Sequence, residues 1–245
     1  MAIRAFTVAE RPELVERGIP AESVWPEYNL HGVVTSRLWP RLHTDLPRFQ
    51  FGLCDEGPGE LVAQGRTVPC WWDGTDEALS SGVDETLQEA FAALDAGGPV
   101  NTLCAMAAEI PPQSRGRGLA RAILQAMAAI AEKAGLEHLI APVRPSMKDR
   151  YPITPIERYA MWRRADGRLF DPWMRVHETR GARVGPTIPR SLRIAGTVSE
   201  WEAWTGLAFP DSGAFVFPQG LAPVAIDRDG DVGTYWEPNV WMIHR

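Results

Sequence analysis

The chain has three cysteines, Cys54, Cys70 and Cys104, scattered among 245 residues. That is too few and too dispersed for a disulfide framework or a cysteine-based zinc site, so each reads as a small core hydrophobe. Lysine is scarcer still, with only Lys133 and Lys148, so arginine supplies nearly all the positive charge. The net charge of −6 argues against a general nucleic-acid binder. No apolar run approaches the ~20 residues of a membrane span. The opening residues, MAIRAFTVAERPELVERG, lack the apolar centre of a signal peptide. A cytoplasmic protein with no membrane partner is therefore expected. The five histidines show no metal-ligand spacing, so no metal site is expected.

What is present suits a folded protein. Hydrophobic residues make up 45% and charged residues 23%, ordinary values for a globular chain. Ten tryptophans is a high number; half of them fall in the last third, in DPWMRVH, EWEAWTG and TYWEPNVWMIHR. Core packing accounts for most such residues, and an aromatic-lined pocket for the rest. No internal repeat or low-complexity linker interrupts the chain, so one mixed α/β domain over residues 1–245 is the simplest organisation.

The alternation in RFQFGLCD predicts a strand, and GPG a turn into a second strand, ELVAQGRTVPCWW. Residues 1–47, broken by Pro20, Pro26 and Pro40, read as helix and loop. Residues 76–96 read as a helix with Val83, Leu87, Phe91 and Leu94 on one stripe. VNTLCAMAAEI is apolar on both alternating faces, as in a strand buried between two layers. Leu119, Ile123, Met127 and Ile130 then recur at helical spacing, with Lys133 and Gly135 at the end. HLIAPV predicts the next strand. In the proline-rich stretch 142–170, Thr154, Pro155 and Glu157 fit the first positions of a short helix. In DPWMRVHETRG, Asp171 fits a cap, Pro172 the first turn and Gly181 a terminator. The remainder, including SLRIAGTVSEWEAW, reads as strands and turns. DRDGDVG resembles the start of a calcium loop, but Val232 and Pro238 stand where that loop needs glycine and glutamate. An Asp-Gly hairpin turn is the expected structure there.

The stretch QSRGRGLA, residues 113–120, carries the chemistry. A helix N-terminus offers unpaired N–H groups and partial positive charge. Arg115, Arg117 and Arg121 crowd that turn and oppose the dipole, at a cost of about a few tenths of a kcal/mol each. An anion bound there removes the cost. Gly116 and Gly118 let the backbone approach a phosphate. A P-loop is excluded because no Lys-Ser/Thr pair follows the glycines. A dinucleotide fingerprint is excluded because Arg121 stands where a small residue is required.

Gln113, Gly116 and Gly118 satisfy every fixed position of Arg/Gln-x-x-Gly-x-Gly/Ala, set between a strand and a long helix. In this the chain resembles the GNAT acetyltransferase superfamily, over roughly residues 48–141 and more loosely 171–198. The resemblance implies an α/β fold with a mixed sheet, in which residues 102–110 and 138–143 form two parallel strands that splay apart. It implies acetyl-CoA or another acyl-CoA as co-substrate. Backbone amides of residues 114–118 would hold the pyrophosphate, and Ile110, Gln113, Ser114, Arg115, Gly116, Arg117, Gly118 and Leu119 would make up the cofactor site. The pantetheine arm would pair with the AMAAEI strand. Segments 76–98, 142–170 and the extended C-terminal part depart from the compact family pattern as insertions and an extension.

Acyl transfer to an amine calls for a base and an acid. Glu109, ending an apolar strand, is the first candidate base, since desolvation there raises a carboxylate's pKa. His177 is the second candidate, near where the family's acid arises. Tyr159 is a candidate proton donor to the departing thiolate or a wall of the acceptor pocket. The expected function is N-acyl transfer from an acyl-CoA to a small-molecule amine within a ternary complex, by a monomer or homodimer. A non-catalytic acyl-CoA binding module, an O-acyltransferase and a decarboxylase are the alternatives.

Overall fold

A computed structural model describes residues 3–13, 18–56 and 59–244. Nine strands form one sheet: β1 (Ile3–Thr7), β2 (Phe51–Asp55), β3 (Glu60–Cys70), β4 (Thr102–Glu109), β5 (His138–Val143), β6 (Arg183–Gly196), β7 (Gly213–Phe215), β8 (Val224–Asp227) and β9 (Val232–His244). Their order is β1-β2-β3-β4-β5-β9-β8-β7, with β6 paired to β9 as well. Every pairing is antiparallel except β4 with β5. This is the mixed sheet expected from the sequence. The seven helices among the described residues are α1 (Thr35–Leu38), α2 (Arg41–Asp45), α3 (Val83–Ala96), α4 (Leu119–Lys133), α5 (Ile156–Ala160), α6 (Pro172–Glu178) and α7 (Val198–Thr205). Short 3₁₀ turns at Ala21–Ser23 and Glu27–His31 precede α1. No helix among the described residues is long and apolar enough to cross a membrane.

Burial follows the periodicities. All eight residues of β4 except Ala108 are buried, because layers cover both of its faces. The predicted stripe of α4 buries Leu119, Ile123 and Met127, with Leu124, Ala126 and Ala131 beside it. Asp171 caps α6 as expected, its side chain accepting from the N–H groups of Trp173 and Met174. The hairpin between β8 and β9 turns through Asp227, whose carboxylate accepts from the Gly230 N–H.

Four local readings are corrected. Residues 3–7, read as helix or loop, form the edge strand β1. The helix expected over 76–96 starts at Val83, and Leu94 is exposed, off the buried stripe of Leu87, Ala90 and Phe91. Thr154 is not a cap; α5 begins at Ile156 after Pro155, with no side-chain cap bond. SEWEAW, read as strand, lies in α7, opened by a capping box in which Thr197 and Glu200 exchange side chain–backbone bonds. That local exchange overrides the strand preference of the tryptophans and Val198. Of the predicted GPG turn, Gly57 and Pro58 lie outside the described residues.

Candidate active site

The parallel pairing of β4 with β5 lasts only from Thr102/His138 to Cys104/Ile140. Beyond it the strands part, and β4 continues to Glu109 with one edge unpaired. A cavity of about 1070 Å³ fills the opening. Consecutive β4 residues, Ala105 to Glu109, line it, as a strand edge does. The small side chains of Ala105, Ala107 and Ala108 leave room beside the backbone. On one side the wall comes from Leu124 and Met127 of α4 and from Trp173 and His177 of α6. On the other it comes from Trp25, Asn29, Trp39 and His43, near the first turns and helices. The cavity therefore joins two chambers through the gap in the sheet.

The glycine loop opens on the first chamber. Gly116 has φ +78° and Gly118 φ +77°, left-handed values that side chains disfavour. A Cβ built on either would meet no atom within 4 Å, so the glycines serve backbone conformation and an open face and relieve no crowding. Gly118 caps α4 without a side-chain bond, which leaves the first N–H groups of the helix to an outside partner. Ile110, Ser114, Arg115, Gly116, Gly118 and Leu119 line the cavity; Gln113 and Arg117 do not. The N–H groups of Ser114 and Arg115 donate to the carbonyls of Pro111 and Pro112 in a 3₁₀ turn. The loop amides not bonded within that turn therefore begin at Gly116, two residues later than the start of the amide set expected from the sequence. Arg117 pairs with the buried Asp55 carboxylate at 2.9 Å, so part of the crowded positive charge is met by protein and not by a ligand.

The three candidate acid–base residues are not brought together. Glu109 is 3% exposed and lines the cavity. Its Oε1 accepts from Trp25 Nε1 at 2.8 Å and its Oε2 from Gln64 Nε2 at 2.7 Å. Arg66 Nε stands 3.6 Å from Oε2. Both oxygens are thus engaged by donors. His177 lines the opposite wall, its Nδ1 3.0 Å from Nε2 of His244 and its own Nε2 buried without a partner. Burial, with the nearby His244 adding to it, pushes the His177 pKa down to about 3. Burial likewise lowers His244 to about 4, with Arg180 contributing. Both rings are neutral at physiological pH, so His177 is no imidazolium acid. Tyr159 is placed away from the cavity. Its hydroxyl donates to Asp171 Oδ2 at 3.0 Å, and burial first, then Asp171, raises its pKa. That same carboxylate caps α6 and accepts from Met147 N–H, so Tyr159 braces the α6 cap.

Sequence reasoning missed the second chamber's polar wall. Glu237, on β9, is 3% exposed. Its Oε2 accepts from Arg144 Nε at 3.0 Å and Asn29 Nδ2 at 3.1 Å. Arg144 also donates through Nη2 to the Tyr28 hydroxyl and the Gln219 carbonyl. Asn239 lies two residues further along β9, and both residues line the cavity. The one local signal was a carboxylate inside a largely apolar strand, a group that is buried only when paired.

No family model matches the chain. Over 269 aligned residues it is 31% identical to the arginine N-acetyltransferase avaD of Aspergillus versicolor, covering 97% of this chain and 92% of that protein. The loading GNATL domain of CurA from Lyngbya majuscula superposes with a TM-score of 0.59 at 15% identity, over 99% of this chain and 96% of the domain. The GphF GNAT-like decarboxylase, solved with isobutyryl-CoA, superposes with a TM-score of 0.57 at 20% identity, over 100% of this chain and 98% of that one. At those identities the two structures establish a common fold.

Proposed function

The chain belongs to the GNAT superfamily of N-acetyltransferases, and on that premise we propose that it transfers an acetyl group from acetyl-CoA to a small-molecule amine, with arginine as the first acceptor to assay. The observation that carries this reading is the cavity through the parted strands, which joins a glycine-opened helix N-terminus to a polar chamber. The residues present fit a CoA thioester. Two left-handed glycines leave open space, α4 lacks a side-chain cap, and β4 has a free edge for an extended arm. The thioester supplies an activated acyl carbon; the protein supplies orientation and exclusion of water. Support for a cationic acceptor comes from the relative's activity towards arginine and from the carboxylates Glu109, Asp149 and Glu237 in the lining.

During transfer the acceptor nitrogen bonds to the acyl carbon as the carbon–sulfur bond breaks. The nitrogen loses one proton and the sulfur gains one. On the sulfur's side, the neutral His177 ring contributes hydrogen bonding and no charge. On the nitrogen's side, the engaged oxygens of Glu109 hold the Trp25 and Gln64 side chains of the wall, and the proton lost by the nitrogen balances the one gained by the sulfur. The test is incubation of the purified protein with acetyl-CoA and arginine. Amine-dependent thiol release, with a product heavier by one acetyl group, is expected. Thiol release independent of any amine would overturn the reading.

A further inference from the structure

Strand β9 is paired to β8 through residues 232–234 and to β5 through residues 240–244. Between those segments this edge of β9 has no strand neighbour among the described residues, while β6 pairs along the other edge at Glu237 and Asn239. Residues two apart on a strand share a face, with Cα atoms about 7 Å apart. Glu237 is fixed through one oxygen: Oε2 accepts from Asn29, Arg144 and, at 3.5 Å, the Tyr235 hydroxyl. Among the described residues nothing donates to Oε1, and Glu237 lines the cavity. Asn239 is 2% exposed, and its Nδ2 donates to the Pro142 carbonyl at 3.0 Å. That bond assigns the amide orientation, since a carbonyl needs a donor opposite it. Its Oδ1 is left buried without a partner.

An unsatisfied buried acceptor costs about 1–3 kcal/mol, so Oδ1 calls for a donor. Two acceptors with no donor of their own, side by side on a cavity wall, match a group that is all donors. A guanidinium carries five N–H donors and an ammonium three, and neither accepts. A neutral amide or urea brings a carbonyl oxygen that gains nothing here. The charge agrees: the lining carries Glu109, Asp149 and Glu237 against Arg115 and Arg144, and Arg115 belongs to the glycine loop. Arg144 is turned towards Oε2, Tyr28 and Gln219.

We propose that Glu237 Oε1 and Asn239 Oδ1 form the specificity-determining pair that takes a cationic, donor-only nitrogen group of the acceptor. This rests on the acyltransferase reading for the acceptor's presence but is read by binding alone. Arginine and citrulline are the probes, because they share a skeleton and differ by a guanidinium against a neutral urea. Each is titrated calorimetrically onto the protein saturated with CoA, so no turnover is needed. Wild type should bind arginine on the order of 100-fold tighter than citrulline. Glu237→Gln should reduce that ratio to within about threefold while CoA affinity stays within about threefold. Asn239→Ala should weaken arginine roughly tenfold. Should Glu237→Gln fail to fold, Glu237→Asp keeps the charge and should retain a ratio above about tenfold. Equal or undetectable binding of the two probes by wild type overturns the proposal. So does a ratio that survives Glu237→Gln, or one lost in a folded Glu237→Asp. Absent turnover beside intact discrimination would count against the proposed function and not against this pair.

Discussion

Gly118→Glu separates an anion cradle from a tight turn. The new side chain must adopt φ +77°, which costs an L-residue about 1–2 kcal/mol. No atom lies within 4 Å of its Cβ, so packing adds no further cost. A carboxylate at a helix N-terminus returns about 0.3–1 kcal/mol. The net loss is roughly 1 kcal/mol, which lowers the melting temperature of a chain this size by about 2–4 °C. Binding should respond very differently. Two like charges 4 Å apart repel by about 4 kcal/mol at an effective dielectric constant near 20. Half of that is already more than about 30-fold in affinity, and the pyrophosphate carries two charges. CoA titration should therefore show a loss on the order of 100-fold or more. Gly118→Asn is the control, since asparagine tolerates left-handed backbone and brings no charge. It should bind CoA within about tenfold of wild type and melt like the glutamate variant. A Gly118→Glu protein that melts as expected and binds CoA within about threefold would refute the cradle.

Glu109→Gln should cost stability, about 3 kcal/mol if Arg66 is left unpaired, and less than about tenfold in turnover, because both carboxylate oxygens already serve the wall. A loss above about 100-fold together with a missing acid limb in the pH–rate profile would restore Glu109 as the base. Tyr159→Phe should lower stability by about 1 kcal/mol through the lost bond to Asp171 and leave the KM values for both substrates unchanged in steady-state kinetics. A raised acceptor KM would show that the tyrosine reaches the second chamber. His177 and His244 are neutral when folded, with pKa values lowered to about 3 and about 4, and take up protons near pH 6.5 when unfolded. Their contribution is complete above pH 6.5 and is lost as pH falls towards those folded values. Urea unfolding at pH 7 and 5.5 should differ by roughly 2–3 kcal/mol from this pair, and His177→Phe should remove about half of that difference. An unchanged pH dependence in the variant would contradict the assignment.

The strand–loop–helix unit was legible because its signals are local. An apolar run, two glycines and a 3.6-residue stripe follow each other within 35 residues, and the structure forms them in that order as β4, loop and α4. The capping box of α7 was equally local, Thr197 to Glu200, but the surrounding tryptophans and β-branched residues drew the reading to strand. Strand β1 owes its conformation to β2, 48 residues on, and carries no strong pattern of its own. The polar wall of the second chamber left one local signal, the charge of Glu237 within β9, and no sign of its partners. Glu237 meets Arg144 across 93 positions and Asn29 across 208, and Trp25 meets Glu109 across 84. Those pairings exist only once distant segments are folded together, Glu237 through the placing of β9 beside β5 and Glu109 through the packing of the first turns on β4. For the same reason Tyr159 was misplaced: its partner Asp171 was recognised as a cap, but nothing in the sequence joined the two.

The central claim is that one cavity holds the CoA thioester and the acceptor on opposite sides of the parted strands. A crystal structure with CoA and arginine tests it most directly. The account predicts the pyrophosphate on backbone amides from Gly116 onward and the pantetheine arm along the free edge of β4 beside Ala107. It places the sulfur in the gap between β4 and β5, with the arginine among Trp25, Asn29 and Glu237. CoA bound outside the gap, or both ligands on the α4 side of the sheet, would contradict it.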